Sequence, residues 1–453
     1  MNSFLSRQQL SLPGKIGYAT GIYGVFLAWM MVALYLLYFY TDVMGLTALQ
    51  AGSIFFLASL WDAVTDPVMG WLIEKTRTRW GKYRPYLLLA TVPFAASFAV
   101  LFFVPDLSGN NLFVWALVVH IVFRTFYTAI YIPYTGLIAR LSTDADERSS
   151  IAGVKSVFVS LASLTVSFLG LPAVTYLGGE DEAIGFLRVG LICASLGIVA
   201  LWVCFLVTRE KATPETERRP NVGFREMFGA LTANHAFLLI FLGVLLFTGC
   251  YTILNKSIIY VFKYDIGDRD AARWALSAIG LAGILSPAIW IPFTHWTNKK
   301  TTWVVGCLIA TGGLSIIYIA DLQTVTAIVI ALFVSGCGIH AFLMTFYAMV
   351  ADAADYGEWK TGIRIEAPLF GLVSLANKTS LAFGAWIFAL LLDDVGFIAN
   401  AEQSNETIAG MRRIMTIVPL GGFLASAVVI LFFPFNTSEH REIVRENLRR
   451  HGK

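Results

Sequence analysis

Long apolar runs and short polar segments alternate along almost the whole chain. A bilayer core of about 30 Å requires roughly 20 apolar residues per helix, and runs of that length recur twelve times. The pattern predicts an all-α polytopic membrane protein with 12 transmembrane helices in two six-helix bundles. The predicted helices occupy residues 17–40, 48–73, 84–104, 112–139, 150–176, 185–208, 232–262, 271–297, 303–320, 325–351, 368–393 and 409–434.

Composition agrees with this prediction. The chain is 57% hydrophobic and only 14% charged, against roughly a quarter charged residues in an average soluble domain. The polar N-terminus leads into a full-length apolar run without a cleavage pattern, so we expect no signal peptide. The cysteines all lie in apolar runs without metal-ligand or disulfide spacing, and we interpret them as core residues. They are Cys193, Cys204, Cys250, Cys307 and Cys337.

The distribution of positive charge predicts the orientation in the membrane. With the N-terminus in the cytoplasm, 23 Lys and Arg residues fall in cytoplasmic segments and seven in outer ones. Lys and Arg are enriched on the cytoplasmic side of membrane proteins. We therefore expect a multi-pass protein of the plasma (inner) membrane with both termini in the cytoplasm.

The longest cytoplasmic segment lies between the sixth and seventh helices and divides the chain into two halves. Paired halves with a substrate site between them are typical of secondary transporters. We predict an N-terminal six-helix bundle at 1–208, a cytoplasmic linker at 209–230, a C-terminal six-helix bundle at 231–436 and a tail at 437–453. From Glu439 the tail should form a short charged helix.

Two carboxylates lie inside the second apolar run. Asp62 and Asp66 are four residues apart, so they share one face of a helix. Ionisable groups in a membrane helix are costly and usually face an aqueous path. A bound sodium ion or proton would offset the repulsion between them. We interpret this pair as the coupling site of a secondary transporter.

The fourth helix carries a polar stripe on an otherwise apolar surface. His120, Arg124, Tyr127 and Tyr131 recur at spacings of four, three and four, with Thr128 beside them. An arginine at this depth needs a partner. Arg124 either pairs with Asp62 or Asp66 as structural support or lines the substrate path, and the two roles are compatible.

Three lysines add to the buried positive charge. Lys378 is expected near mid-membrane in the eleventh helix, whereas Lys155 lies early in the fifth helix and can snorkel to the interface. Lys256 is counted on the outer side, although a position in the cavity stays open. If these groups face one space, the charge balance is positive and favours an anionic substrate such as a sugar acid.

A small acidic cluster ends the tenth helix. Asp352, Asp355 and Glu358 are followed by Arg364. They form either a solvated loop or an inner gate in which the carboxylates pair with Arg148 and Arg140.

Several segments together resemble the glycoside–pentoside–hexuronide:cation symporters of the major facilitator superfamily, the melibiose permease family. The resemblance spans nearly the whole chain. It rests on the segments WDAVTDPVMGWLIEKTRTRWGKYRPY, FYTAIYIPY, ADAADYGEWKTGIRIEA, LANKTSLAFGA and YFYTDVMGL.

The resemblance implies roles for individual residues. Asp62 and Asp66 correspond to the cation-binding carboxylates, and Thr128 to a helix-four cation ligand. Thr65 stands where the melibiose permease has an asparagine that helps to bind sodium, which makes proton coupling plausible. Lys378 corresponds to a lysine near the site. The residues that correspond to a cytoplasmic gate are Arg148, Asp352, Asp355, Glu358 and Arg364.

The sugar-binding pattern of that family is not kept. Phe26 (or Val25) and Tyr131 stand where the melibiose permease has aspartates, so a neutral galactoside held by carboxylates is disfavoured. Ser156, Thr135 and Leu343 replace an arginine and two tryptophans, and Arg124 replaces a small residue. The candidate substrate-binding residues are Phe26, Arg124, Tyr127, Tyr131, Lys155 and Lys378.

The leading functional hypothesis is a cation-coupled symporter of a sugar, glycoside or sugar acid that works by alternating access. One alternative is an uncoupled facilitator in which Arg124 replaces the cation. Another is a lysophospholipid symporter, because the apolar Phe26 and Leu343 leave room for an amphiphile. We expect a monomer in contact with membrane lipid, with no nucleic-acid partner, no cofactor and no metal beyond a possible sodium ion.

An enzyme or a membrane sensor is disfavoured. The sequence shows no Ser/His/Asp set, metal cluster or Walker-type phosphate loop, and it lacks an aqueous domain through which a sensor would signal.

Overall fold

The computed structural model describes residues 10–142, 144–210 and 224–450. Most of the predicted linker and the last three residues of the predicted tail lie outside this range. The described residues form α-helices without a β-strand, as predicted. The N-terminal helices are α1 (Leu12–Tyr38, continued by a π-helical turn at Phe39–Val43), α2 (Ala48–Lys75), α3 (Arg84–Leu89), α4 (Thr91–Leu101), α5 (Gly109–Leu141), α6 (Ala145–Gly178) and α7 (Glu182–Val207).

The second half begins with a short amphipathic helix and ends with the charged tail helix. Its helices are α8 (Phe224–Ala233), α9 (His235–Tyr264), α10 (Ala272–Leu285), α11 (Pro287–Trp296), α12 (Lys299–Ile319), α13 (Val325–Thr361), α14 (Glu366–Asp394), α15 (Asn405–Leu431) and α16 (Thr437–Arg450). The tail therefore forms a helix, as predicted.

Among the described residues, ten helices are long and apolar enough to cross a membrane. Two predicted spans are interrupted instead of continuous. α10 and α11 meet at an angle of 46°, and Pro287 begins α11 without an amide proton for the helical ladder. α3 and α4 are separated at Ala90, where Pro93 cannot donate to the carbonyl of Leu89.

Both halves show the same helix-packing pattern. In the first half α1 packs on α6 and α7, and α2 packs on α5; in the second α9 packs on α14 and α15, and α10 packs on α13. The chain divides into two compact units, Met1–Glu217 and Arg218–Lys453. Each unit therefore repeats one arrangement, in which the first membrane span contacts the fifth and sixth spans of that unit.

Glycines allow the first helix of each unit to approach its neighbour closely. A Cβ atom on Gly24 of α1 would lie 2.9 Å from the Cα atom of Gly197 in α7. A Cβ atom on Gly384 of α14 would lie 2.5 Å from the carbonyl oxygen of Gly249 in α9. Small residues are what permit such backbone contacts between membrane helices.

Candidate functional site

The two carboxylates of α2 face α5, and each meets a different partner there. Asp62 is only 3% exposed, whereas Asp66 is half-buried. Their partners, Arg124 and Thr128, are also one helical turn apart. The equal spacing on the two helices produces two adjacent polar contacts at one helix–helix interface.

Arg124 forms a buried ion pair with Asp62. The guanidinium is 6% exposed, and its Nη2 also donates to the hydroxyl of Ser59 at 3.1 Å. Ser59 lies one turn before Asp62 and is a contact that the sequence reasoning missed. Of the two partners left open by the sequence, Asp62 is therefore the one that holds the arginine.

Asp66 accepts a hydrogen bond from the hydroxyl of Thr128 at 3.0 Å. Thr128 is buried, as expected for a residue that supports a carboxylate inside the bundle. The neighbouring Thr65 donates to the carbonyl of Trp61 at 3.2 Å. When all three are ionised, Asp62, Asp66 and Arg124 together carry one net negative charge.

An aromatic row lies against the guanidinium. The Cζ atom of Arg124 is 5.2 Å from the ring centroid of Trp29 in α1, a cation–π distance. The ring of Trp29 stacks on Tyr127 at 4.8 Å, and Tyr127 stacks on Tyr131 at 5.3 Å. Trp29 was missed from the sequence, although it lies one turn after the predicted Phe26; both are half-buried.

His120 lies among aromatic side chains of the first two helices. Its Nδ1 lies 3.2 Å from the hydroxyl of Tyr40, and its ring packs edge-on against Phe55 at 5.0 Å. The residue is 1% exposed. This histidine is therefore part of the packed core between α1, α2 and α5.

The predicted lysines occupy different elements and are not brought together by any described contact. Lys155 in α6 and Lys378 in α14 are both half-buried. Beside Lys378, Asn377 accepts a hydrogen bond from Thr248 at 3.1 Å and links α14 to α9. Lys256 is 3% exposed within α9, which continues to Tyr264, and its place on the outer side or in the cavity stays a prediction.

The acidic cluster of the predicted gate surrounds Arg364. The guanidinium pairs with Asp355 at 3.1 Å, Glu358 at 2.7 Å and Glu366 at 3.0 Å. Burial opposes the positive charge of Arg364, but the hydrogen bonds to Glu358 and Glu366 and the attraction of Asp355 outweigh it and raise the pKa. This cluster joins the end of α13 to the start of α14.

The remaining members of the predicted gate have other neighbours. Asp352 pairs with Lys299 at 2.7 Å, and His440 of α16 lies 3.1 Å from Asp355. The sequence reasoning missed this contact of the tail helix. Arg148 is exposed near the start of α6, and its pairing with the acidic cluster stays a prediction.

Proteins of known families resemble this chain over most of its length. Residues 17–437 match the profile of the family described as MFS/sugar transport protein. The chain is 30% identical to the isoprimeverose transporter of Lactiplantibacillus pentosus, over 96% of this chain and 91% of that protein. It is 29% identical to the glucuronide carrier protein homolog of Escherichia coli K12, over 97% and 96%. It is 27% identical to the putative sulfoquinovose importer of Salmonella typhimurium, over 98% and 94%.

Solved structures support the fold. A bacterial homolog of the human lysosomal transporter Spinster, in an inward-facing and unoccupied conformation, superimposes with a TM-score of 0.67. The match covers 97% of this chain and 98% of that one at 14% identity. At that identity the likeness bears on the architecture alone.

Proposed function

The chain belongs to the MFS/sugar transport protein family, and from this membership we propose that it carries a sugar-type solute together with a proton. The family and its relatives are multi-pass membrane transporters, not enzymes. Among the relatives, the isoprimeverose transporter, the glucuronide carrier homolog and the sulfoquinovose importer are all named for sugars or sugar acids. The proposal of a proton is supported by the contacts of Asp62 and Asp66 between α2 and α5.

One observation carries the assignment: Arg124 is already paired with Asp62, while Asp66 meets a neutral hydroxyl. A sodium ion shared by both carboxylates would lie close to a guanidinium charge, which opposes its binding. A proton on Asp66 neutralises the remaining negative charge without a coordination shell. We therefore place the coupling proton on Asp66, with Thr128 as its hydrogen-bond partner.

Protonation would act by reciprocal coupling to substrate binding. A cation that favours the loaded conformation raises the affinity for the substrate, and the substrate raises the affinity for the cation by the same factor. The coupling free energy is typically about 1–3 kcal/mol. The half-buried Trp29 lies against Arg124, and the half-buried Tyr131 continues the aromatic row beyond Tyr127, so that the row offers aromatic faces and a cation to a sugar or sugar acid. These residues form the proposed substrate surface of the N-terminal unit, together with Phe26 and Tyr127.

The test uses proteoliposomes that contain the wild-type protein and the Asp66→Asn variant. Asparagine resembles the protonated carboxyl, so we expect substrate exchange between equal concentrations to persist while accumulation driven by a pH gradient is lost. Glu74→Gln is the matched control, because Glu74 lies eight residues further along α2 and pairs with Lys82 in an exposed position. Full pH-driven accumulation by Asp66→Asn would contradict the proposal.

The identity of the ion is tested separately in the wild type. A pH gradient alone should drive uptake, and a sodium gradient at equal pH should not. Sodium-driven uptake would overturn the proton assignment and would leave Asp66 as a candidate sodium ligand. A substrate panel of an isoprimeverose-type disaccharide, glucuronate and sulfoquinovose, with lysophospholipid as the amphiphile, distinguishes the substrate classes.

The ion pair also favours a second candidate, uncoupled facilitation with Arg124 as a built-in cation. In that case neither gradient drives accumulation in the wild type. Arg124→Ser, which frees Asp62 for an external cation, would then gain cation-dependent uptake. Under the leading proposal the wild type is already driven by a pH gradient, and Arg124→Ser adds no new cation-dependent uptake.

A further inference from the structure

The loop that joins α2 to α3 forms a basic bowl at one end of the N-terminal unit. The bowl has a volume of about 830 Å³, and Arg140 of α5 and the two residues Arg209 and Glu210 after α7 complete its wall. The charge distribution along the sequence assigns this end to the cytoplasm. Six cationic side chains and one carboxylate line it: Arg77, Arg79, Lys82, Arg84, Arg140, Arg209 and Glu210.

The carboxylate in this bowl is bound to backbone amides. Glu210 accepts hydrogen bonds from the amides of Lys82 at 2.9 Å, Tyr83 at 2.7 Å and Arg84 at 2.9 Å. The ammonium group of Lys82 pairs with Glu74 at 2.8 Å. Glu210 therefore fixes the shape of the loop, while several arginines around it keep the bowl positive.

Arg84 has a donor that the described protein groups do not use. Its Nη2 donates to the carbonyl of Phe205 at 2.7 Å, and its guanidinium lies 4.5 Å from the ring centroid of Phe205. Its Nε is buried and has no hydrogen-bond partner among the described residues. A buried donor of this kind is costly unless a ligand or water accepts from it.

Helices α2 and α7, which lead into the segments that line the bowl, carry exposed apolar side chains near their ends. Trp71 of α2 is 55% exposed, with the ammonium of Lys75 3.9 Å from its ring centroid. Leu206 and Val207 at the end of α7 are also exposed. Tryptophan paired with lysine is typical of the interface between lipid headgroups and acyl chains. A ligand at this position can therefore place an anionic group in the bowl and apolar chains along α2 and α7.

We propose that the bowl binds the phosphate of an anionic phospholipid, such as phosphatidylglycerol, from the adjoining leaflet. Arginine matches phosphate oxygens with paired hydrogen bonds, and basic pockets beside membrane helices bind anionic headgroups. The excess of cations selects a net negative lipid over phosphatidylethanolamine or phosphatidylcholine. The exposed apolar rim selects a lipid over a soluble phosphate.

The test measures retained lipid on the full-length protein in a neutral detergent by native mass spectrometry. Phosphatidylglycerol, phosphatidylethanolamine and phosphatidylcholine with the same acyl chains are offered in equal amounts. The variant is Arg77→Gln/Arg79→Gln, and the matched control is Arg441→Gln/Arg445→Gln, which removes two exposed cations from α16 instead. We expect the wild type and the control to retain phosphatidylglycerol selectively. The bowl variant, which lacks two cations that contribute separately, should lose about 30-fold in affinity.

The proposal would be overturned by equal loss in the control, by undiminished retention in the bowl variant, or by equal retention of the three lipids. Inorganic phosphate and glycerol 3-phosphate form the soluble arms. Displacement of the lipid by either one at comparable concentration would show a soluble-anion site instead. If the double variant does not fold, single Arg79→Gln is measured with brominated phosphatidylglycerol, whose quenching of tryptophan fluorescence should weaken relative to the wild type.

Discussion

Two arginine–carboxylate clusters, one in each unit, show how the same chemistry acts in different surroundings. Arg124 and Asp62 are almost completely buried between α5 and α2. The side chain of Arg364 is 50% exposed and is shared by carboxylates at the junction of α13 and α14. Removing one partner of a buried pair leaves an uncompensated charge in the protein interior, whereas water replaces a lost partner at the surface. The first cluster should therefore contribute more to stability than the second, in which the arginine is exposed although Glu358 is buried.

The largest effect is expected from breaking the buried pair. Arg124→Gln leaves Asp62 buried without its cation, so we expect the free energy of unfolding to fall by about 3–5 kcal/mol. Thermal unfolding in detergent measures this loss. Arg124→Gln/Asp62→Asn removes both charges and should recover most of it. A single variant as stable as the wild type would show that the pair is not the source of the difference between the clusters.

A smaller effect is expected at the second carboxylate of the same site. Thr128→Ala removes the hydrogen bond to Asp66, and hydrogen bonds to charged groups contribute about 1.5–3 kcal/mol. Because Asp66 is half-buried, we expect the lower end of this range, equivalent to about a tenfold loss of pH-driven uptake. The pH dependence of uptake measures it, and Thr128→Ser should keep the wild-type profile. Equal pH profiles of uptake for the alanine and serine variants would show that the hydroxyl of residue 128 takes no part in coupling.

The exposed cluster should respond more weakly. Arg364→Gln removes contacts to Asp355, Glu358 and Glu366. Glu358 is buried and loses this partner, but solvent reaches the guanidinium and screens the other two pairs, so we expect a smaller loss than for Arg124→Gln. The difference from the wild type should shrink further at high salt. Unfolding measured at low and high ionic strength checks both points. A loss as large as that of Arg124→Gln would remove the contrast between the clusters.

The smallest effect is expected in the tail helix. A hydrogen bond from the indole of Trp359, followed by one from Arg450, lowers the pKa of Glu446 below its ordinary value of 4.5. Its contribution to stability is therefore full above pH 4.5 and disappears as the pH falls through the lowered value. The melting temperatures of the wild type and Glu446→Gln should converge in that window. Glu442→Gln, one turn earlier on α16, is the control and should show no such convergence.

Much of this architecture was predicted from the sequence because apolar runs report membrane helices directly. The interruptions at Ala90 and Ser286 were not predicted, since hydropathy is blind to the missing amide proton of Pro93 or Pro287. The carboxylates and Arg124 were found because charges stand out in apolar helices. Which carboxylate holds Arg124 was left open, because both lie on one face within one turn.

Other parts of the site required coordinates. Trp29 does not stand out as a site residue in the sequence, because α1 contains many aromatic residues. Its spacing from Phe26 nevertheless places both side chains near one face of α1. Ser59 is a common residue in membrane helices and becomes notable only because Arg124 reaches it. The contact of His440 with Asp355 joins positions 85 residues apart in sequence, which no local pattern reports.

The close backbone contact of Gly24 with Gly197 has a consequence for how this transporter can diversify. Phe26 lies about 200° around α1 from Gly24, on the opposite side of the helix. One side of α1 therefore admits no larger residue, while the other can change side chains without displacing α7. Laboratory evolution toward a new solute should accumulate substitutions at Phe26 and Trp29 and leave Gly24 untouched.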